Sequence, residues 1–195
     1  MSKGGVVVGL LGGALVVFVL ALSDKDGSFR LVSENVYIEH NDSCIPLENF
    51  IQTDNPVIEG IASGLATDDF IYAAHQWVSS HVSYPAVGAA DWYLPTEVIS
   101  RQQAGCFGTS VLTASLIRQV LPPDRVYVAI GYCQGSGHAW VMVKNGTWQI
   151  LETTHADHFE KSGELYKPIL MFNDSKILGK PGAVDFLEDY LCNKV

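Results

Sequence analysis

At 195 residues the chain has room for one domain with a sizeable core plus an attachment segment. Apolar residues make up 48% and charged residues 17%, which excludes an intrinsically disordered chain. Twelve Lys and Arg stand against 21 Asp and Glu, a formal net charge of −9, and no basic run occurs anywhere. This excludes nucleic acid and other polyanions as partners.

Residues 4–22 carry no charge, follow Lys3 and precede Ser23-Asp24-Lys25-Asp26-Gly27. At about 1.5 Å per residue they are long enough to cross a bilayer as a helix. The expectation is an N-terminal transmembrane helix over 1–23, meeting the membrane through residues 4–22. The alternative is a cleaved signal peptide with Ala21 and Ser23 as its small residues, giving a secreted protein. Both put the remainder outside the cytoplasm. Residues 24–55 are mixed in character and read as a juxtamembrane lead-in with one strand near 35–39. The folded domain is then 56–195. Of the cysteines Cys44, Cys106, Cys133 and Cys192, the first and last lie near the two ends of the folded region and could staple them, although four cysteines allow three complete pairings.

Thr67 or Asp68 can cap a helix through Phe70, Ile71, Ala74, Trp77 and Val78. Residues 82–91, with Pro85 and Gly88, read as a loop, and 94–97 start a short helix. The next helix is expected from Phe107 or Gly108 to about Leu121, with Val111, Leu112, Ser115, Leu116 and Val120 as its inner stripe and Pro122-Pro123 ending it. A strand follows over 125–132, then a hairpin over 141–150 turning at Asn145-Gly146, a strand over 166–172 and a closing helix over 183–192. This order predicts an α+β domain.

Along these elements stand a thiol at Cys106, an imidazole at His138 and a carboxylate at Glu152, the three groups a thiol nucleophile needs. A cysteine in the first turn of a helix gains from the positive helix end, which favours thiolate, and from open N–H groups that can receive an oxyanion. Taken singly, Cys106 reads as a small buried hydrophobe, His138 as a core histidine and Glu152 as an edge charge. Their joint spacing favours a triad. Hairpin register tests it. A two-residue turn at Asn145-Gly146 sets His138 opposite Thr153 and puts Glu152 on the other face. A three-residue loop over 144–146 pairs Val143 with Thr147 and sets His138 directly across from Glu152, with Cβ atoms about 5 Å apart. The turn chemistry suits both. The three-residue loop is preferred because it joins His138 and Glu152 and places Trp140, Met142, Trp148 and Ile150 on the side that would cover the Cys106 helix. His155-Ala156-Asp157-His158 lacks zinc spacing and reads as a polar loop. His75 and His81 do not share a helix face and read as structural or exposed. Asn41, Asn145 and Asn173 each begin a glycosylation sequon.

Residues 68–154 resemble the transglutaminase-like (papain-fold) superfamily of cysteine proteases and acyltransferases. The resemblance rests on Gln76-Trp77-Val78, Trp92-Tyr93-Leu94-Pro95-Thr96-Glu97, Gly105-Cys106, Gly137-His138-Ala139-Trp140-Val141 and Trp148-Gln149-Ile150-Leu151-Glu152-Thr153-Thr154. It implies a nucleophile helix packed on an antiparallel sheet, with Cys106 as nucleophile, His138 as general base and Glu152 as the orienting carboxylate. Gln102, Gln103 and Trp92 are candidates for the oxyanion donor that acts beside the Cys106 N–H. Trp140 and Gly105 are candidates for the substrate cleft. Two positions depart from the pattern: Ala104 and Phe107-Gly108 stand where many relatives carry acids, and Glu152 stands where Asp is common. The implied function is an extracytoplasmic thiol-dependent amide hydrolase or acyl transferase on peptide or protein amides, needing neither cofactor nor metal. The alternatives are an inactive transglutaminase-like module binding peptides or wall polymers, and a Cys106/Cys133 thiol–disulfide pair, which no Cys-x-x-Cys spacing supports.

Overall fold

The structure, a computed structural model, describes residues 9–11, 14–16, 28–65, 67–85, 92–154, 159–160 and 165–192. Strands β1 (Gly9–Leu11) and β2 (Ala14–Val16) pair antiparallel. The transmembrane helix expected through 4–22 is corrected at these residues. The rest of 4–22 lies outside the described residues, as does the 155–158 loop. Among the described residues no helix is long and apolar enough to cross a membrane.

Strand β3 (Arg30–Leu31) is followed by a hairpin of β4 (Tyr37–His40) and β5 (Ser43–Pro46). Its turn is Asn41-Asp42, both at positive φ (45° and 63°), the backbone of a type I′ turn that Asn and Asp tolerate. Leu47–Phe50 add a 3₁₀ turn. Val36, Ile38, Leu47, Phe50 and Ile51 are buried, so much of the stretch read as a lead-in belongs to the same core.

Helix α1 (Pro56–Gly64) is capped by Asn55, whose side chain accepts the Val57 N–H at 3.0 Å. Helix α2 (Phe70–His81) is capped by Asp69, one or two residues later than expected. Helix α3 (Pro95–Arg101) opens on proline, and Glu97 reaches back to the Leu94 N–H at 2.8 Å. Helix α4 (Cys106–Ile117) begins at the cysteine itself. Every residue from Phe107 to Ile117 is buried, which corrects the one-sided stripe. Val120 lies beyond the helix end and is 52% exposed. Helix α4 touches the sheet as well as α1, α2 and α3, so no side of it meets water.

After a 3₁₀ turn at Pro123–Arg125 come β6 (Val126–Cys133), β7 (Ser136–Asn145), β8 (Thr147–Leu151), β9 (Phe159–Glu160), β10 (Tyr166–Phe172) and β11 (Ile177–Gly179). They form one antiparallel sheet in the order β3-β11-β10-β6-β7-β8-β9. Val126, Val128, Ile130, Ala139, Val141 and Val143 face the helices. Ala129, Trp140, Ile150 and Tyr166 form a smaller cluster on the reverse face. A 3₁₀ turn, Asp185–Tyr190, replaces the closing α-helix expected over 183–192. Its end is pinned: Leu191 bridges Ile38, the Cys192 N–H donates to the Tyr37 carbonyl at 2.9 Å, and a disulfide joins Cys192 to Cys44.

The central hairpin adopts neither expected register. Asn145 pairs with Thr147 around Gly146 alone, and Val141 pairs with Leu151. Gly146 sits at φ +75°, where a side chain would be strained. Relative to the three-residue loop the strands are offset by two residues. A two-residue offset keeps every side chain on its expected face. His138 and Glu152 thus share a face with Trp140. That face is the reverse one, which corrects the expectation that it covers α4.

Candidate active site

Cys106 occupies the first position of α4 behind Gly105, whose extended backbone offers no side-chain cap. The helix end therefore presents its positive pole to the sulfur. The Gly105 carbonyl accepts from both the Thr109 N–H (3.1 Å) and the Thr109 hydroxyl (3.2 Å), fixing the first turn. The two residues standing where relatives carry acids have packing roles. Phe107 lies on Trp92 and Phe50, with ring centroids 4.1 and 5.3 Å away. A Cβ on Gly108 would come within 2.8 Å of the Ala104 Cβ, so α4 needs glycine to lie this close to the α3 exit.

His138 stands near the start of β7, opposite Gly131. Its Nε2 lies 2.8 Å from Glu152 Oε2, and the ring also hydrogen-bonds the Cys106 sulfur. With Nε2 committed to the carboxylate, Nδ1 is the nitrogen left for the thiol. Strand β8 stops pairing at Leu151, and Glu152 follows it. The carboxylate is fully occupied: Oε2 also accepts from the Tyr166 hydroxyl at 2.9 Å, and Oε1 accepts from the Thr154 N–H and hydroxyl at 2.9 and 2.7 Å. The backbone here is fastened to the helices. Buried His75 donates to the Glu152 carbonyl at 2.6 Å, and the Thr153 hydroxyl lies 3.0 Å from both the Thr109 and Ser110 hydroxyls, one turn beyond Cys106. Glu152 is thereby held in place relative to Cys106.

These contacts set the charges. Burial alone would raise the Cys106 thiol, but the hydrogen bond and charge of His138, with the Ala139 and Phe107 N–H groups, bring it below an ordinary cysteine. Burial would discharge His138, yet its bonds to Cys106 and Glu152 raise it to about 9. Burial would protonate Glu152, yet His138 and Thr154 hold it at about 2. All three shifts favour charge separation, thiolate beside imidazolium beside carboxylate, over the neutral forms.

Cys106 and His138 open into a cleft of about 390 Å³. Trp92, Phe107 and Ile130 line it together with Phe186, Leu187 and Tyr190 from the terminal 3₁₀ turn, and Asp189 joins them. Trp92 belongs to this wall, packed on Tyr190 at 5.2 Å. The other oxyanion candidates do not reach the cleft. Gln102 and Gln103 are exposed, and this stretch spends its backbone on Ser83. Trp140 is fully buried beneath His138, with ring centroids 6.1 Å apart, and supports the imidazole without touching the cleft. Gly105 is buried as well. Tyr84, which the sequence reading passed over, does line the cleft and hydrogen-bonds both the sulfur and the backbone of Cys106. It sits in a loop without periodicity. Nothing in the local sequence marks it, since only the tertiary pairing of Ser83 with the segment before Cys106 brings it there. No bond joins Cys106 to Cys133, and the one disulfide among the described residues is Cys44–Cys192.

No family model matches the chain, and no curated protein matches it. Solved structures do. The chain resembles them in fold. A candidate cysteine protease from Cytophaga hutchinsonii aligns over 55% of this chain at 17% identity and a TM-score of 0.46. Legionella pneumophila LapG, in its calcium-bound form, aligns over 68% of this chain and 96% of its own length at 14% identity and a TM-score of 0.46. A TGase aligns over 57% at 24% identity and a TM-score of 0.40. The chain spans only 39% of the Cytophaga protein and 33% of the TGase.

Proposed function

We propose that the protein is a thiol-dependent amide hydrolase of peptide or protein substrates, working outside the cytoplasm. The observation that carries this reading is the continuous contact from the Cys106 sulfur through the His138 ring to the Glu152 carboxylate. The Cys106 thiolate attacks the amide carbonyl, forming the S–C bond as the carbonyl π-pair moves to oxygen. The Cys106 N–H at the start of α4 receives that oxygen. The oxyanion collapses, the C–N bond breaks, and imidazolium His138 gives its proton to the departing amine. His138 then takes a proton from water, whose oxygen bonds to the thioester carbon; the C–S bond breaks, the acid leaves, and the Cys106 thiolate and His138 imidazolium are restored. An amine entering instead of water would make the same site an acyl transferase. Glu152 keeps the ring oriented and charged throughout.

The apolar, aromatic cleft suits an amide flanked by a bulky apolar side chain. A disulfide and the uncharged stretch at 4–22 favour an oxidising compartment. Selective alkylation tests the chemistry. Iodoacetamide near neutral pH should modify Cys106 far faster than Cys133, His138→Ala should remove the difference, and Cys106→Ala should abolish cleavage of a denatured protein substrate. Equal, slow alkylation of both cysteines would instead indicate a silent binding module. Protease accessibility of the domain in intact cells tests the compartment, and a shielded domain would count against it.

A further inference from the structure

The proposed hydrolase needs a second hydrogen-bond donor for the tetrahedral oxygen, since one backbone N–H rarely suffices. Of the sequence-based candidates for that donor, Gln102 and Gln103 lie outside the cleft, and Trp92 is packed into its wall against Phe107 and Tyr190. The cleft holds a different group. The Ser83 N–H and hydroxyl both donate to the Gln102 carbonyl (2.9 and 3.0 Å), and the Ala104 N–H donates to the Ser83 carbonyl at 3.2 Å. This short parallel ladder lashes residue 83 to the segment entering α4 and so delivers Tyr84 to the cleft at Cys106. There the phenol oxygen accepts from the Cys106 N–H while its hydroxyl lies on the sulfur. An oxygen touching both the nucleophilic atom and the N–H at the helix start occupies the place that an attacked carbonyl oxygen must take.

We propose that the Tyr84 hydroxyl is the second oxyanion donor of this site, exchanging its bonds to Cys106 for one to the substrate oxygen as the S–C bond forms. No proton leaves the phenol. It donates a hydrogen bond to the oxyanion until the C–N bond breaks and the carbonyl re-forms. Burial, then the negative charges of Cys106 and Glu152, hold the phenol above its ordinary value of 10.0, so it remains a donor across the working range.

This assignment rests on the amide-hydrolase reading, and the test separates the two. Alkylation by iodoacetamide passes through no oxyanion, whereas amide hydrolysis and the addition of a peptide aldehyde both place a tetrahedral oxygen beside Cys106. Tyr84 is 44% exposed, so Tyr84→Phe should fold. It should lower kcat on an amide about 100-fold with KM changed by less than about 3-fold, and weaken a phenylalaninal-type peptide aldehyde at least about 10-fold. The iodoacetamide rate at Cys106 should change far less than kcat, by no more than the loss of the phenol's bond to the sulfur. Unchanged hydrolysis and aldehyde affinity would overturn the assignment, as would a rise in kcat, which would make the phenol an obstruction. An equal fall in alkylation and hydrolysis would overturn it too, placing the effect on the thiolate. A wild-type Cys106 that alkylates no faster than an ordinary thiol would overturn the hydrolase reading and this assignment together.

Discussion

Glu152→Asp probes the spacing of the whole site. Continuing the hairpin register by one residue sets Glu152 opposite Trp140, a diagonal step from His138. Diagonal neighbours stand about 7–8 Å apart, against about 5 Å for opposed ones. Glutamate spans that longer gap with a 2.8 Å contact. Aspartate withdraws the carboxylate by about 1.5 Å, one C–C bond. The contact then opens to about 4 Å, beyond hydrogen-bond range, and the four donors gathered round the carboxylate lose their common acceptor. His138, now held at about 9, falls back towards its ordinary value of 6.5. The alkaline limb of the activity profile, where the protonated ring is lost, should move down in pH. The acid limb, where thiolate is lost, should move up because its cation is weaker. Between the limbs, kcat/KM should fall about 100-fold, or about 2.7 kcal/mol of transition-state stabilisation. Glu152→Gln, which keeps the length and removes the charge, should cost more, approaching the about 10⁴-fold seen when a triad carboxylate is amidated. The assay is kcat/KM across the pH range on a fluorogenic peptide amide. An aspartate variant with wild-type kcat/KM and unmoved limbs would refute the diagonal-reach argument.

Breaking the Cys44–Cys192 bond with Cys192→Ser should cost about 2–4 kcal/mol, since it closes a very long loop. It should also raise KM, because the tethered turn carries Phe186 and Tyr190 of the cleft; calorimetry and kinetics together check this, and an unmoved Tm would speak against it. Thr153→Val strands the Ser110 hydroxyl in the core and should cost about 1–3 kcal/mol in urea unfolding, with kcat falling as Glu152 loosens. Gly131→Ala would place a Cβ 2.2 Å from the Lys167 carbonyl oxygen, directly across from His138, and should destabilise by about 3 kcal/mol or more in the same assay. Stability itself should depend on pH through the pair. Glu152, lowered to about 2, contributes fully above its ordinary 4.5 and loses that contribution as pH falls towards 2. His138, raised to about 9, contributes fully below 6.5 and loses it as pH rises through 9. Glu152→Gln should flatten both slopes of unfolding free energy against pH.

Periodicity and punctuation located most of the elements around the site. Pro122-Pro123 closes the approach to β6, Asn145-Gly146 marks the hairpin, and the strand over 166–172 coincides with β10. Where local patterning failed, tertiary contacts had overruled it. Helix α4 shows no polar face because helices and sheet enclose it on all sides. The β4–β5 hairpin was hidden because Asn41-Asp42 also reads as a sequon and a polar linker. Asn173, another apparent sequon, is wholly buried, its Oδ1 accepting from the Ser175 and Lys176 N–H groups.

The contact between His138 and Glu152 is kept although neither expected register is adopted, and parity explains it. One residue of slip would have turned Glu152 away from His138. Two residues preserve the face and convert an opposed pair into a diagonal one. That conversion supplies a physical reason for glutamate at a position where the resemblance leads one to expect aspartate: the extra methylene matches the longer step. The same geometry explains why Tyr84 and Thr153 escaped the sequence. Each owes its place to a neighbour's hydrogen bonds or to a contact between elements far apart in the chain, the Ser83–Gln102 ladder for one and the α4 hydroxyls for the other. A triad whose spacing is tuned through the hairpin should tolerate compensation. Removing Lys144 and Asn145 while keeping the Gly146 turn would pair Val143 with Thr147 and set His138 opposite Glu152, and in that background aspartate at position 152 should recover activity that glutamate there loses.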